Sequence, residues 1–327
     1  MNLPAEPSPF ICAYVLDGQG AGRPVDAGNV RAWTPDQGTL WVHLDVLDPQ
    51  AQQWLSDQED IDDITVEALL AGETRPRTVP SKDGLLLVLR GVNMNPGADP
   101  DDMVSIRVWI QASRIVSTRR RKLLSIQDMR DSIVSGNGPR SPGGFVVSLV
   151  ERLADRIGLV VDDIEESAET AEGPSLETDF QVRRTELGSL RRQTAAIRRY
   201  LGPQRDALDR LYRQPGGFFS DTEANELREQ SDRITRYLED LDLVRERTML
   251  LQEELLSQLA QEQNSRVYLL SVIAAVFLPL TFVTGLLGMN VAGLPGTDSP
   301  AAFAVSLVVM GALGAALVLF FRWKKWI

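Results

Sequence analysis

Histidine and cysteine are almost absent from this 327-residue chain, with His43 and Cys12 the single occurrence of each. One cysteine excludes an internal disulfide framework and fits a reducing compartment. The pair is also too small a stock for the Cys/His sets that usually hold zinc. Excess positive charge is missing as well. A formal net charge of −11 argues against nucleic acid as a partner, since that binding depends on neutralising phosphates. The same acidity suits attraction of cations, and suits equally the dispersal of a large soluble domain. The N-terminal stretch has no basic segment followed by an apolar core, which predicts no secretory signal and a soluble part that stays where it is made. Neither a nucleophile–histidine pair with a partner nor a phosphate-cradling glycine-rich loop is visible, so a membrane enzyme is disfavoured.

Charge is also missing, locally, from two long runs near the C-terminus. Val267–Leu287 and Ala301–Phe321 carry none, and each is close to the ~20 residues that cross a bilayer core. The connection between them, residues 288–300, contains no Lys or Arg and only Asp298 as an acid. Arg266 precedes the first run and Arg322, Lys324 and Lys325 follow the second. Positive flanks stay inside, which places both termini in the cytoplasm and the connection outside, with Trp323 and Trp326 suited to the headgroup zone.

Ahead of the spans the chain reads as an α/β domain followed by long helices. Phe10–Leu16, Thr39–Asp45, Leu85–Val92, Val104–Ile110 and Ile115–Thr118 are apolar, β-branched runs bounded by Gly, Pro or Asp, and predict strands. Pro49–Gln58, Ile61–Ala71 and Leu123–Val134 predict short helices, and the alternation predicts a mostly covered sheet over residues 1–144. A Gly/Pro cluster through Gly144 ends that domain. The region 145–219 then predicts one helix to about Ala171 and a second from about Leu176 to Arg213, kinked at Gly202-Pro203. Ser220-Asp221-Thr222-Glu223 forms a capping box. Beyond it no Gly or Pro intervenes until Pro279, so a single helix is expected from Asp221 to Leu287, roughly 100 Å long. It occupies the segment 220–287, runs directly into the first span, and is followed by the loop 288–300, the second span 301–321 and the basic tail 322–327. Leu227, Ile234, Leu238, Leu241, Val244, Leu251, Leu255 and Leu259 recur at heptad-like spacing along it, the pattern of a packing or coiled-coil seam.

Rotating this helix at about 100° per residue puts Glu239, Asp242, Glu246 and Glu253 within about 40° of Asn264. Ser271, Ala275, Leu278 and Phe282 stay near that line, whereas Thr281 and Gly285 fall about 60–100° to one side. A solvated helix face explains the acids, and so does a water-filled lumen. Two spans per chain cannot enclose a polar path, so conduction requires a ring of subunits. Gly285, Gly288, Gly311, Gly314 and Ala315 permit close helix approach within the membrane.

Gly288-Met289-Asn290, at the exit of the first of two C-terminal spans, resembles the signature of the CorA-type metal ion transporters, as does the whole layout of the chain. The resemblance implies an oligomeric funnel-and-pore architecture, a homopentamer in an inner (cell) membrane with Asn290 ringing the outer mouth and Gly288 and Met289 shaping it. It also implies that Asn264, Leu278, Thr281 and Gly285 face the pore. Carboxamide oxygens can hold a hydrated divalent ion without trapping it. Several segments resemble the ZntB-like zinc branch: Gly293-Leu294-Pro295-Gly296, Gly72–Arg77, Val116–Lys122 and Pro203–Asp206. Phe277-Leu278-Pro279 and Thr281-Phe282 fit the superfamily, while Met289 is the middle residue typical of the magnesium class.

No cofactor is implied; the cation, zinc with cobalt, nickel or cadmium as competitors, is the cargo. A magnesium/cobalt channel is the alternative within the family, and a membrane-anchored coiled-coil scaffold or sensor is the alternative outside it. His43 in its alternating strand reads as structural and Cys12 as core packing. Asp60-Asp62-Asp63, Asp99-Asp101-Asp102 and Asp162-Asp163-Glu165-Glu166 could hold ions through oxygen, but acidic turns and solvated helix faces are the commoner explanations. Proton coupling would have no intramembrane Asp, Glu or His to use.

Overall fold

A computed structural model describes residues 8–173, 180–213, 217–291, 294, 296 and 299–324. In chain order its elements are β1 (Phe10–Leu16), β2 (Gly22–Pro24), α1 (Ala27–Arg31), β3 (Thr39–Asp45), α2 (Pro49–Ser56), α3 (Asp63–Leu70), β4 (Arg77–Pro80), β5 (Leu85–Gly91), β6 (Val104–Ile110) and β7 (Arg114–Arg119). Then come α4 (Leu124–Val134), α5 (Pro142–Glu172), α6 (Phe180–Arg213), α7 (Asp221–Leu287) and α8 (Ala302–Trp323). The seven strands form one sheet in the order β2-β1-β3-β7-β6-β5-β4. Among the described residues only the central β3–β7 pair is parallel.

The strand residues alternate between two apolar layers, as a period of two requires. Leu85, Leu87, Leu89, Ile106, Val108 and Ile110 face the layer built with α4, α5, α6 and the start of α7. Leu86, Val88, Trp109 and Val116 face the smaller layer built with α2 and α3. Both faces are therefore covered, and β5 and β6 are buried along their whole length.

The chain separates into two compact units, Met1–Gln252 and Glu253–Ile327. In the first, the predicted seam of α7 is buried at Leu227, Ile234, Leu238, Leu241 and Val244. Two short strands, β2 and β4, and the small helix α1 were not anticipated. Helix α5 begins at Pro142, inside the expected breaker cluster, because Ser141 is its N-cap and accepts from Gly144 N at 2.8 Å, with Pro142 in the first turn where its missing N–H costs nothing. Helix α6 passes Gly202-Pro203 without interruption. The expected helix start at Leu176 lies outside the described residues.

The capping box is present as expected. Ser220 N donates to Glu223 Oε2 at 2.8 Å and Glu223 N donates to Ser220 Oγ at 3.3 Å. Glu223 also receives Ser141 Oγ, so one carboxylate joins the starts of α5 and α7. From there α7 continues for 67 residues. Arg233 further ties it to α5 through Asp155, at 2.7 Å.

Candidate ion pathway

In the second unit, α7 packs against α8 along a narrow seam. Val272, Val276, Pro279, Leu280 and Val283 are its half-buried residues there, and Ser306, Met310, Leu313, Gly314 and Leu317 are among those of α8. Gly314 leaves room for Leu280, whose Cδ1 would lie 3.7 Å from a Cβ at that position. On an ideal helix the α7 seam centres about 100° from Asn264, and Leu278, Thr281 and Gly285 centre about 70° the other way. Those three residues thus occupy the face of α7 opposite α8, and all are exposed, Leu278 to 75%. The offset of Thr281 and Gly285 from the Asn264 line places them squarely away from the helix partner. Phe282, which the projection kept near that line, is likewise 70% exposed.

The same face carries few polar atoms. Thr281 has no side-chain hydrogen bond among the described residues, whereas Ser271 Oγ is turned back to Val267 O at 2.8 Å. Pro279 lacks an N–H, so the Ala275 carbonyl one turn earlier has no donor at the usual helical position. Helix α7 ends at Leu287, and Gly288 N donates to Thr284 O at 2.9 Å. Asn290 follows in irregular, exposed chain with no side-chain partner among the described residues. Gly293, Pro295 and Asp298 of the loop, and Lys325, Trp326 and Ile327 of the tail, lie outside the described residues.

In the first unit, the acids of α7 do not behave alike. Glu239 and Glu246 are exposed and form no ion pair among the described residues. Asp242 is half-buried and held by Arg198 of α6, with Nε at 2.6 Å from Oδ1 and Nη2 at 2.8 Å from Oδ2. Its charge is answered within the chain, so it adds little to any field from this row. Glu253, which begins the second unit, is exposed. Asn264 is exposed there too.

A different acidic grouping was not read from the α7 pattern. Burial together with Asp240 of α7 and Asp162 and Glu169 of α5 holds Glu165 above the usual carboxylate range. Burial, Glu239 and Asp162 do the same to Asp240. The remaining sequence candidates resolve into structural parts. His43 is fully buried, its Nδ1 2.8 Å from Ser117 Oγ, which also receives Trp41 Nε1 at 2.8 Å; burial pushes its pKa down to about 3, so the ring is neutral. Burial pushes the Cys12 thiol up to about 11. Asp60 pairs with Arg114, Asp62 caps α3 through Thr65 N at 2.9 Å, and Asp102 pairs with Arg121. Asp163 and Glu166 line an open cleft of about 780 Å³ between α5 and α6. No group of three or more His, Cys, Asp or Glu is arranged to hold a metal among the described residues.

Among the described residues two helices, α7 and α8, are long and apolar enough to cross a membrane. With that layout described, the comparison with known proteins is decisive: the family described as CorA-like Mg2+ transporter protein matches residues 36–325. The chain belongs to this family. The divalent cation transporter CmaX of Pseudomonas aeruginosa is 38% identical over 323 residues, 97% of each chain. The zinc transport protein ZntB of Pectobacterium carotovorum is 36% identical over 317 residues, 97% of this chain and 96% of that one. The solved structure of full-length CmaX superposes with a TM-score of 0.85 at 36% identity, covering 98% of this chain and all of the other. This CorA-like chain is therefore a membrane protein with an α/β soluble part, a long helix and two C-terminal apolar helices.

Proposed function

We propose that this chain carries divalent cations across the membrane, with Zn²⁺ as the principal cargo, through a pore formed by several copies of α7. The supporting observation is likeness along nearly the whole length to proteins named as zinc and divalent cation transporters. Among the described residues of one chain the Leu278–Thr281–Gly285 face of α7 is exposed, which suits lining by symmetry-related copies. A homopentamer is the assembly expected of the family. Asn290 would then ring the outer mouth, offering carboxamide oxygens to a hydrated ion, with the Thr281 hydroxyl and Ala275 carbonyl available deeper in. Asn264 would stand at the inner end of the span and the unpaired Glu239, Glu246 and Glu253 below it. Both termini would lie in the cytoplasm, in a bacterial-type inner membrane, because the basic flanks Arg266 and Arg322 belong to the inner side.

Such a pathway acts by solvating an ion rather than by making or breaking bonds, so no enzymatic step is assigned. Neutral oxygens suit rapid passage, since they replace part of a hydration shell without the long residence of carboxylates or thiolates. Met289 favours a second reading, a magnesium-class channel. Flux into proteoliposomes loaded with ion-selective dyes tests both: Zn²⁺ entry competed by Co²⁺, Ni²⁺ or Cd²⁺ is expected. Mg²⁺ entry without Zn²⁺ entry would move the chain to the magnesium reading, and no flux of either would favour a scaffold.

A further inference from the structure

Helices α5 and α7 run side by side in the same direction, and their facing charges fall into register. Asp155 Oδ1 of α5 meets Arg233 Nη2 of α7 at 2.7 Å, and that nitrogen also donates to Tyr237 Oη at 3.1 Å. One turn on, Gly158 lies against Tyr237, where a Cβ would collide with the phenol oxygen. Farther along, Arg247 of α7 reaches Glu169 at 4.0 Å and Glu172 at 3.8 Å. Asp155 to Glu169 on α5 and Arg233 to Arg247 on α7 are the same distance along their helices, about four turns. Halfway between these two attractive pairs stand Asp162 on α5 and Asp240 on α7. This rung carries an acid on both sides.

The surrounding groups do not answer it. The charges bearing on Glu165, one turn beyond Asp162, are the acids Asp240, Asp162 and Glu169 and the cation Arg247. Those bearing on Asp240 are the acids Glu239 and Asp162 and the cation Arg236. Helix α6 contributes none of these; its Arg198 is turned to Asp242. Arg247 is already shared between Glu169 and Glu172. Glu165 and Asp240 are half-buried and Asp162 is exposed, so the rung lies at the solvent edge of the helix pair. Beneath it, Val161, Ile164 and Ala168 of α5 and Leu238, Leu241 and Val244 of α7 are buried in one core and keep the helices together. Repulsion between the carboxylates therefore strains the polar edge of the seam while the apolar edge holds. Burial and the like charges keep Glu165 and Asp240 above the usual carboxylate range, so they take up protons more readily than solvated acids do.

We propose that Asp162, Glu165 and Asp240 form a proton-operated clasp between α5 and α7: ionised, they push the polar edges of the two helices apart, and protonated, they let those edges close. The stabilisation is fully present in acid and is lost as pH rises through the raised values of the folded state. The flanking pairs Asp155–Arg233 and Glu169–Arg247 bound the stretch that responds, so the change is local. It is independent of which ion the protein carries.

Hydrogen exchange of the full chain in detergent, read by mass spectrometry over α5 peptides covering 158–169, tests this. Parent and variant are compared at one pH each time, so that intrinsic exchange rates cancel. At neutral pH and low salt, Asp240→Asn and Asp162→Asn should each slow exchange there several-fold. The double variant should slow it by less than the product of the two, because both single changes relieve the same repulsion. The variant-to-parent ratios should approach one at about pH 5 and in high salt. Asp163→Asn, next to the rung on α5 but lining the cleft toward α6, should leave exchange unchanged. Ratios of one at neutral pH, ratios that acid does not change, or an equal effect of Asp163→Asn would each overturn the proposal. Protection of the parent by millimolar Mg²⁺ at neutral pH, absent from the double variant, would replace the proton by a divalent cation and overturn it as well.

Discussion

Glu223 joins two helix starts, and its removal should be measurable. Its carboxylate accepts Ser220 N at 2.8 Å, Ser220 Oγ at 2.9 Å and Ser141 Oγ, while Ser141 in turn caps α5. Hydrogen bonds to a charged group contribute about 1.5–3 kcal/mol each when buried, and a lost cap costs about 1 kcal/mol. The carboxylate is only half-buried, so water replaces part of what is lost. About 2 kcal/mol is expected for Glu223→Ala, and about 1 kcal/mol for Glu223→Gln, which keeps one acceptor oxygen. For a folding unit of this size, Glu223→Ala should lower Tm by about 4–8 °C in thermal unfolding of the detergent-solubilised protein. The pH dependence supplies a second check. Burial alone would raise the Glu223 pKa, but hydrogen bonds from Ser141, Ser220 and Gly144 outweigh it and hold the group below its ordinary value. A depressed carboxylate stabilises above its unfolded pKa, and the contribution is lost as pH falls through the folded pKa. The gap between parent and Glu223→Gln should therefore close in acid. Equal stability at pH 7, or a gap unchanged at low pH, would refute the reasoning.

Asn290→Ala should lower divalent flux at least tenfold without disturbing assembly, measured by proteoliposome uptake beside size-exclusion chromatography; normal flux would remove the motif from the mechanism. Replacing Glu239, Glu246 and Glu253 together with Gln should reduce flux most at low ionic strength, because exposed charges are screened over about 8 Å at physiological salt. Asp242→Asn combined with Arg198→Gln should change that salt dependence little, since the charges of the pair cancel. Equal effects from the two variants would place Asp242 among the free charges. Asp240→Asn should raise Tm by a few degrees at low salt and neutral pH, with the gain fading as pH falls, because raised carboxylate pKa values mean repulsion that is absent when the groups are protonated and grows as pH rises through them. A Tm gain independent of pH would point to packing instead.

The sequence by itself determined what depends on local periodicity and local chemistry. Five strands, the capping box, the single helix from Asp221 to Leu287 and the two charge-free spans were legible because each signal lies within its own segment. That Asn290 follows directly on the end of α7 was legible because that address is itself local. The tertiary structure decided what pairing and packing define. The strands β2 and β4 are too short to announce themselves and exist through their hydrogen-bonded neighbours β1 and β5. Ser141-Pro142 reads as a breaker until a helix begins on it. The row of acids on α7 looks uniform in projection, yet among the described residues α6 supplies Arg198 to Asp242 alone. Which side of α7 is free in the membrane follows from where α8 packs, a relation between two segments that neither encodes separately. The extreme case is the α3–β4 connection, because chain folding alone brings Arg90 of β5 to Thr74 O and to Gln204 of α6, and Arg107 of β6 to Gly72 O.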